Sequence, residues 1–326
     1  MELAERSLHF GTDQEIAESF FACPGCSSNL EVCGADLLKC PKDAYEFKRE
    51  ENIWRFLLPE RREYYEQFMR EYGTIREREG RWSHDPAFYR SLPFKDLTGR
   101  FTEDWKIRAI SYGSLTKDVL APLEKRMGRP LHILDLGAGN GWLSNRLKQL
   151  GHQPVALDLS TNSSDGLGAC VFYREPFLAV QAELDLVPFE DEQFDLAILN
   201  ASLHYSENYE KTLCEALRVL RERGCVVIMD SPIYHDANSG RQMVKEREAT
   251  FLKEFGFRSN AVRTENFLTF DRLNELAEQL NLHWQFVKPP FGLKWQVKPL
   301  VAKLKMQREP AKFLVLVGQK RPNYND

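Results

Sequence analysis

The sequence predicts an α/β protein built on a doubly wound, mostly parallel sheet. Three observations carry that expectation. From Leu131 onward, short apolar runs alternate with segments whose apolar residues repeat at helical spacing. A glycine-rich turn joins the first such run to the first such segment. The composition, 43% hydrophobic and 28% charged, is that of a globular chain and excludes wholesale disorder. Alternation of strands with helices implies parallel neighbours, because a parallel pair needs a crossover between its strands.

The chain has 326 residues, about twice the ~150 of a usual domain, so an appendage to one large domain is expected. Net charge is −4, and no global basic field advertises a nucleic-acid partner. Met1 to Phe10 carries Glu2, Glu5 and Arg6 and lacks the apolar core of a signal peptide. No run of 18 apolar residues is present to span a membrane. A cytoplasmic, reduced protein without a membrane partner is the expectation. In that compartment clustered thiols suggest metal before disulfide. Four of the seven cysteines lie between residues 23 and 40. Cys23-Pro-Gly-Cys26 and Cys40-Pro-Lys-Asp43 stand thirteen residues apart, the layout of two knuckles around a tetrahedral zinc. Asp43 stands where a fourth cysteine is usual. Three outcomes stay open: Asp43 ligates, Cys33 substitutes, or no metal is held.

Pro59 follows the apolar patch Ile53, Trp54, Phe56, Leu57 and Leu58 and marks a boundary. Residues 60–127 are charged and aromatic and read as helices broken near Gly80, Pro86 and Pro93. Leu131–Leu134 is the first strand. Leu143, Leu147 and Leu150 form the next helical stripe, Val155–Leu157 the second strand and Leu178–Val180 the third. Leu196–Leu199 is the fourth strand. Leu213, Ala216, Leu217 and Leu220 read as a helix, and Cys225–Met229 as the fifth strand. A late helix at Leu273, Leu276, Ala277 and Leu280 precedes strands at 283–287 and 313–317, making seven.

Asp135-Leu-Gly137-Ala138-Gly139-Asn-Gly141-Trp142 stands where the first strand turns into a helix. Glycines there let the backbone approach a ligand, which in such sheets lies beyond the carboxyl ends of the strands. Asp158, at the end of the second strand, can accept hydrogen bonds from both hydroxyls of a ribose. A dinucleotide fingerprint is ruled out by Trp142, and a P-loop by the missing lysine. The pattern D-x-G-x-G-x-G resembles the first motif of class I S-adenosylmethionine (SAM)-dependent methyltransferases. The resemblance continues through Gln181-Ala-Glu183-Leu184-Asp185-Leu-Val-Pro188-Phe189 and Phe194–Asn200, covering about residues 105–319. It implies a Rossmann-like fold with a seven-stranded sheet and SAM as cofactor. It implies cofactor contacts at Asp135, Gly137, Ala138, Gly139, Gly141, Asp158, Leu159, Glu183, Leu184 and Asn200. Glu183 takes the place of the acid that meets the adenine amino group, with Asp185 as its in-frame rival.

A methyl group on sulfonium carries its own reactivity, so the protein mainly binds, aligns and excludes water. Asn200, Ser202, His204 and Tyr205 follow the fourth strand, and His204 is the candidate base because an ordinary imidazole titrates near neutrality. Tyr234 and His235 are candidates for acceptor contact. The helix over residues 105–113 resembles those that cover SAM in the family. Tyr64, Tyr65, Tyr72, Tyr89 and Tyr112 either line the pocket or pack. Arg76, Glu79, Gly80 and Arg81 read as a solvated face or a contact to the cofactor's carboxylate.

Tyr45-Glu-Phe47 and the 51–57 segment are similar to the tail of zinc-ribbon segments that precede some bacterial methyltransferases. The resemblance implies zinc at Cys23, Cys26, Cys40 and Asp43. Residues 288–312 carry seven cations against Glu309, a net +6, with Phe291 and Trp295 interleaved. They read as an insertion between the last two strands with its lysines in water, or as an RNA contact. The expected organisation is a zinc-ribbon-like module over 1–58, a helical connector over 59–101 and a methyltransferase domain over 102–326. The expected activity is methyl transfer to a small-molecule acceptor. Alternatives are an RNA methyltransferase and a non-catalytic SAM-binding module.

Overall fold

The computed structural model describes residues 20–321. The reading of Met1 to Phe10 lies outside the described residues. Four short strands come first: β1 (Glu31–Gly34), β2 (Leu37–Lys39), β3 (Glu46–Glu50) and β4 (Ile53–Arg55). Helices α1 (Pro59–Glu79), α2 (Pro86–Ser91), α3 (Thr102–Leu115) and α4 (Ala121–Met127) follow, with one π-helical stretch at Thr116–Leu120. Gly80, in the left-handed region at φ 69°, caps α1 as its position predicts.

The sheet then runs through β5 (His132–Leu136), α5 (Trp142–Gln149), β6 (Gln153–Asp158), β7 (Leu178–Gln181), β8 (Phe194–Asn200), α6 (Tyr209–Arg218) and β9 (Leu220–Met229). After β9 come β10 (Ile233–Tyr234), α7 (Ala237–Phe255), β11 (Leu268–Thr269), α8 (Phe270–Gln279), β12 (Leu282–Val287), α9 (Leu293–Leu304) and β13 (Val315–Lys320). The predicted seven strands stand in the order β7-β6-β5-β8-β9-β13-β12, with β13 antiparallel to both neighbours and the others parallel. All seven residues of β8 are buried, which is why its centre, Leu196–Leu199, reads as an apolar run. Its one acid, Asp195, is held by Arg129 at 2.7 and 2.8 Å, Arg221 at 2.9 Å and the His132 amide at 2.8 Å.

The N-terminal strands extend this sheet. They form an antiparallel meander, and β4 then pairs parallel with β7, Trp54 opposite Val180. Trp54, Phe56 and Leu58 of the apolar patch join the main core. Phe21 stacks on Phe189 at 5.4 Å and lies 4.7 Å from Phe56, while Phe20 meets Phe194 edge-on at 5.3 Å. Burial of such rings stabilises by about 1.5–3 kcal/mol each, and here both segments contribute to one cluster.

Other differences have local causes. The helical stripe stops at Arg218, and Leu220 opens β9 opposite Phe194. The helix over 105–113 is α3, and the segment directly before β5 is α4. Helix α7 buries only Ser239 and Gly240, so it carries no apolar stripe to betray it.

Candidate functional site

A cleft lies over the carboxyl ends of β5, β6, β7 and β8 and is roofed by α1. Its first chamber, about 910 Å³, is lined by Gly137, Gly139, Asp158, Leu159, Glu183 and Leu184, with Tyr65, Phe68, Met69 and Tyr72 from α1. Those four fall at i, i+3, i+4 and i+7, one face of a helix. A second chamber, about 820 Å³, shares Tyr72, Gly137, Gly139, Asp165, Ala201 and Tyr205 with the first. It continues to Arg76, Trp105, Arg108, Ala138, Asn200, His204, Asp230 and Phe313.

The glycine loop has a steric reason. Gly137 sits at φ 78°, and a Cβ there would fall 2.3 Å from that of Ser202. Ser202 in turn donates to the Leu136 carbonyl at 2.6 Å, which locks the approach. Gly139 offers its amide to Asp158 Oδ2 at 2.8 Å, and the Ser160 amide donates to Oδ1 at 2.7 Å. Burial pushes the Asp158 carboxyl up to about 6 despite these bonds. Gly141 lines neither chamber. It caps α5 at φ 75°, where a side chain would strike Cys170 and Phe177.

Asp135 also lies outside both chambers. It is fully buried beneath the loop, takes the Ser144 hydroxyl at 2.8 Å, and burial raises its carboxyl to about 7. Glu183 faces the first chamber but is gripped from α1: Arg61 Nε donates to its oxygens at 2.9 and 3.0 Å, Arg61 Nη2 at 2.6 Å and the Tyr65 hydroxyl at 3.1 Å. Asp185 lines the same chamber and accepts from Thr212. Arg61 was not among the residues singled out by sequence; its signal is its place one turn before Tyr65 on the aromatic face.

In the second chamber, Asn200 is buried and its Oδ1 has no partner among the described residues. Ala201 at φ 55° and Asp230 at φ 53° stand in the left-handed region, both at the chamber wall. Such strain gathers where surroundings over-determine the backbone. Asp230 accepts from Ser111 at 2.6 Å, and burial raises its carboxyl. His204 lies 3.2 Å from Ser231 Oγ through Nδ1. Its expected near-neutral titration is not what the structure shows. Burial first, then the nearby Arg247 and Arg108, hold its pKa down at about 3. The imidazole is therefore neutral at physiological pH and a weak base.

The remaining candidates separate cleanly. Arg76 lines the second chamber and pairs with Asp165, while Glu79 pairs with Arg81 at 2.7 Å away from it. Tyr64 is exposed, Tyr89 donates to the Ser164 carbonyl at 2.7 Å, and Tyr112 packs against Trp142. Tyr234 is buried beside Phe267, and His235 stacks on Phe270; neither lines a chamber.

At the far edge, one ligand atom each from Cys23, Cys26, Cys40 and Asp43 lies within 4.8 Å of the others. Cys26 Sγ is 3.5 Å from Cys40 Sγ, and Cys23 Sγ is 3.4 Å from Asp43 Oδ2. Tetrahedral zinc with Zn–S bonds of about 2.3 Å sets sulfurs roughly 3.8 Å apart, so the donor set fits. Cys33 is exposed on β1 and stands outside the group.

The chain is similar to known proteins over part of its length. Residues 134–228 match the family described as a methyltransferase domain. A malonyl-[acyl-carrier protein] O-methyltransferase of Buchnera aphidicola is 33% identical over 100 residues, 30% of this chain and 38% of that protein. A sarcosine/dimethylglycine N-methyltransferase of Halorhodospira halochloris is 29% identical over 135 residues, 38% of this chain and 46% of that one. This chain therefore spans less than two thirds of either relative's length. Among solved structures, the Burkholderia thailandensis 1,6-didemethyltoxoflavin-N1-methyltransferase, with that substrate and S-adenosylhomocysteine bound, superposes with a TM-score of 0.45 at 18% identity, over 90% of this chain and 99% of that one. Residues 134–228 thus match a methyltransferase-domain family, and they lie within a Rossmann-like fold.

Proposed function

We propose that the chain transfers the methyl group of SAM to a small-molecule acceptor. The observation that carries this is the two-chambered cleft, whose halves meet at Gly137, Gly139 and Ala201. Bound SAM supplies an electrophilic methyl on sulfonium; everything else is done by the chain. Asp158 accepts the ribose hydroxyls with the lone pairs its amide partners leave free. Glu183, held still by Arg61 and Tyr65, and the neighbouring Leu159 and Leu184 bound the adenine. Asn200 and the Gly137–Gly139 backbone take the amino-acid end, whose carboxylate finds Arg76 or Arg108. Arg108 makes no hydrogen bond or ion pair to another side chain among the described residues, and lies over the Trp105 ring at 5.0 Å.

The acceptor enters beside His204, Asp230 and Phe313. A neutral imidazole of low basicity positions a nucleophile by hydrogen bonding and removes little of its proton. The acceptor is thus one already deprotonated or needing no base, such as a carboxylate. The O-methyltransferase among the relatives is consistent with that class. Labelled methyl from SAM, followed into products of small carboxylic acids and their esters, tests the reading. Label found only in RNA replaces it with an RNA acceptor, and label in no fraction contradicts it.

We further propose that Cys23, Cys26, Cys40 and Asp43 hold a structural zinc that pins the N-terminal meander. Near-stoichiometric zinc in the purified protein, and a lower melting temperature after chelation, are expected. A metal-free preparation with the same melting temperature after added zinc contradicts it.

A further inference from the structure

The insertion between β12 and β13 does not present its lysines alone to water. Its helix α9 turns an apolar face outward. Leu293 is 78% exposed, Leu300 61% and Leu304 76%, with Val297 and Val301 also exposed and Met306, just beyond, at 95%. At 3.6 residues per turn the five helical residues fall within an arc of about 100°. Lys303 and Lys305 flank that arc and are exposed, and the helix contains no acid. A contiguous apolar patch of this kind marks an interaction surface.

The helix is held from its other side. Ala302 is buried, and Trp295 packs on Phe291 at 5.0 Å and Phe313 at 5.8 Å. Glu309, the segment's one acid, takes the His235 and Asp236 amides at 3.0 and 3.2 Å, and Arg308 pairs with Glu246 at 2.8 Å. These contacts consume the acid and Arg308, while Lys298 lies over the Trp295 ring and Lys312 against His235, so Lys303 and Lys305 are, among the described residues, the exposed cations beside the apolar arc. Phe313, the ring beneath Trp295, also lines the second chamber.

We propose that α9 is an interfacial helix that lies on an anionic lipid bilayer, with the second chamber opening beside it. Apolar side chains enter the acyl boundary while flanking lysines meet anionic headgroups, the combination that defines such helices. The absence of a spanning helix among the described residues is no obstacle, since an interfacial helix spans nothing. Charge complementarity decides the occupant: a segment of net +6 beside an apolar face suits an anionic surface.

The test is co-sedimentation of the full chain with vesicles of phosphatidylcholine alone and of phosphatidylcholine mixed with phosphatidylglycerol. Binding to the mixed vesicles, weak binding to the neutral ones and partial loss in high salt are expected. Leu300→Asp with Leu304→Asp should lower the partition coefficient about tenfold or more, and Lys303→Glu with Lys305→Glu should lower it as well. Both double variants should keep the wild-type thermal shift with S-adenosylhomocysteine, which controls for folding. No binding to the mixed vesicles, or binding indifferent to both pairs, overturns the proposal. A solution dimer broken by Leu300→Asp also overturns it, by giving the face to a second copy. Vesicle binding is read without methyl transfer, so failure here and failure of the activity are separate results.

Discussion

Besides the α1 aromatics, the first chamber is lined mainly by residues that follow β5, β6, β7 and β8, whereas the second adds residues of α1, α3, β8 and the segments after β9 and before β13. The difference follows from what each half would recognise in the proposed function. A fixed ligand can be met by a fixed loop, so Gly137, Gly139 and Asp158 occur at a spacing that a single stretch of sequence displays. An acceptor is met by whatever distant side chains the fold brings round it. Arg76, Arg108 and Phe313 are separated by up to 237 positions in the chain and meet only in three dimensions.

The contrast predicts unequal responses to substitution. The largest concerns the loop. Gly137→Ala forces a side chain into the left-handed region and onto Ser202, which should cost about 2–4 kcal/mol of stability in urea unfolding. A loss under 1 kcal/mol would mean that the loop moves freely and the first chamber is not preformed.

A smaller effect concerns pH. In the proposed function the ribose hydroxyls bond to the Asp158 carboxylate, whose pKa burial raises to about 6. The ionised fraction falls as pH drops through that value, so S-adenosylhomocysteine affinity should be about tenfold weaker at pH 5 than at pH 7. A flat profile in calorimetry would show that the charge on Asp158 is not used. His204→Gln marks the opposite limit. It should leave cofactor affinity within about twofold, and no rate inflection between pH 5 and 8 should be traceable to this histidine, whose pKa lies near 3. An inflection near 6.5 that vanishes in the variant would restore the ordinary imidazole base.

Legibility in the sequence followed the same division. The strands from β5 to β9 were readable because buried parallel strands carry short apolar runs, such as Leu196–Leu199 in the fully buried β8. The Asp158 position was readable because it ends a strand. Asp135 and Gly141 carry the same motif yet serve the loop from beneath, a distinction that needs coordinates. The grip of Arg61 on Glu183 joins residues 122 positions apart, and no local pattern announces it. Helix α7 was invisible for lack of a buried stripe, and the outward apolar arc of α9 was masked by the lysines that interleave it. The cysteine spacing pointed to the four side chains that the fold brings within 4.8 Å, but not to the pairing of β4 with β7 that merges their segment into the sheet.

The central claim is that the first chamber is built for the adenosyl cofactor. Calorimetric titration of wild type and Asp158→Ala with S-adenosylhomocysteine tests it most directly. Two charged hydrogen bonds at about 1.5–3 kcal/mol each predict saturable binding by the wild type and a loss of roughly 100-fold or more in the variant. Absence of binding by the folded wild type, or equal affinity in the two proteins, would contradict the account.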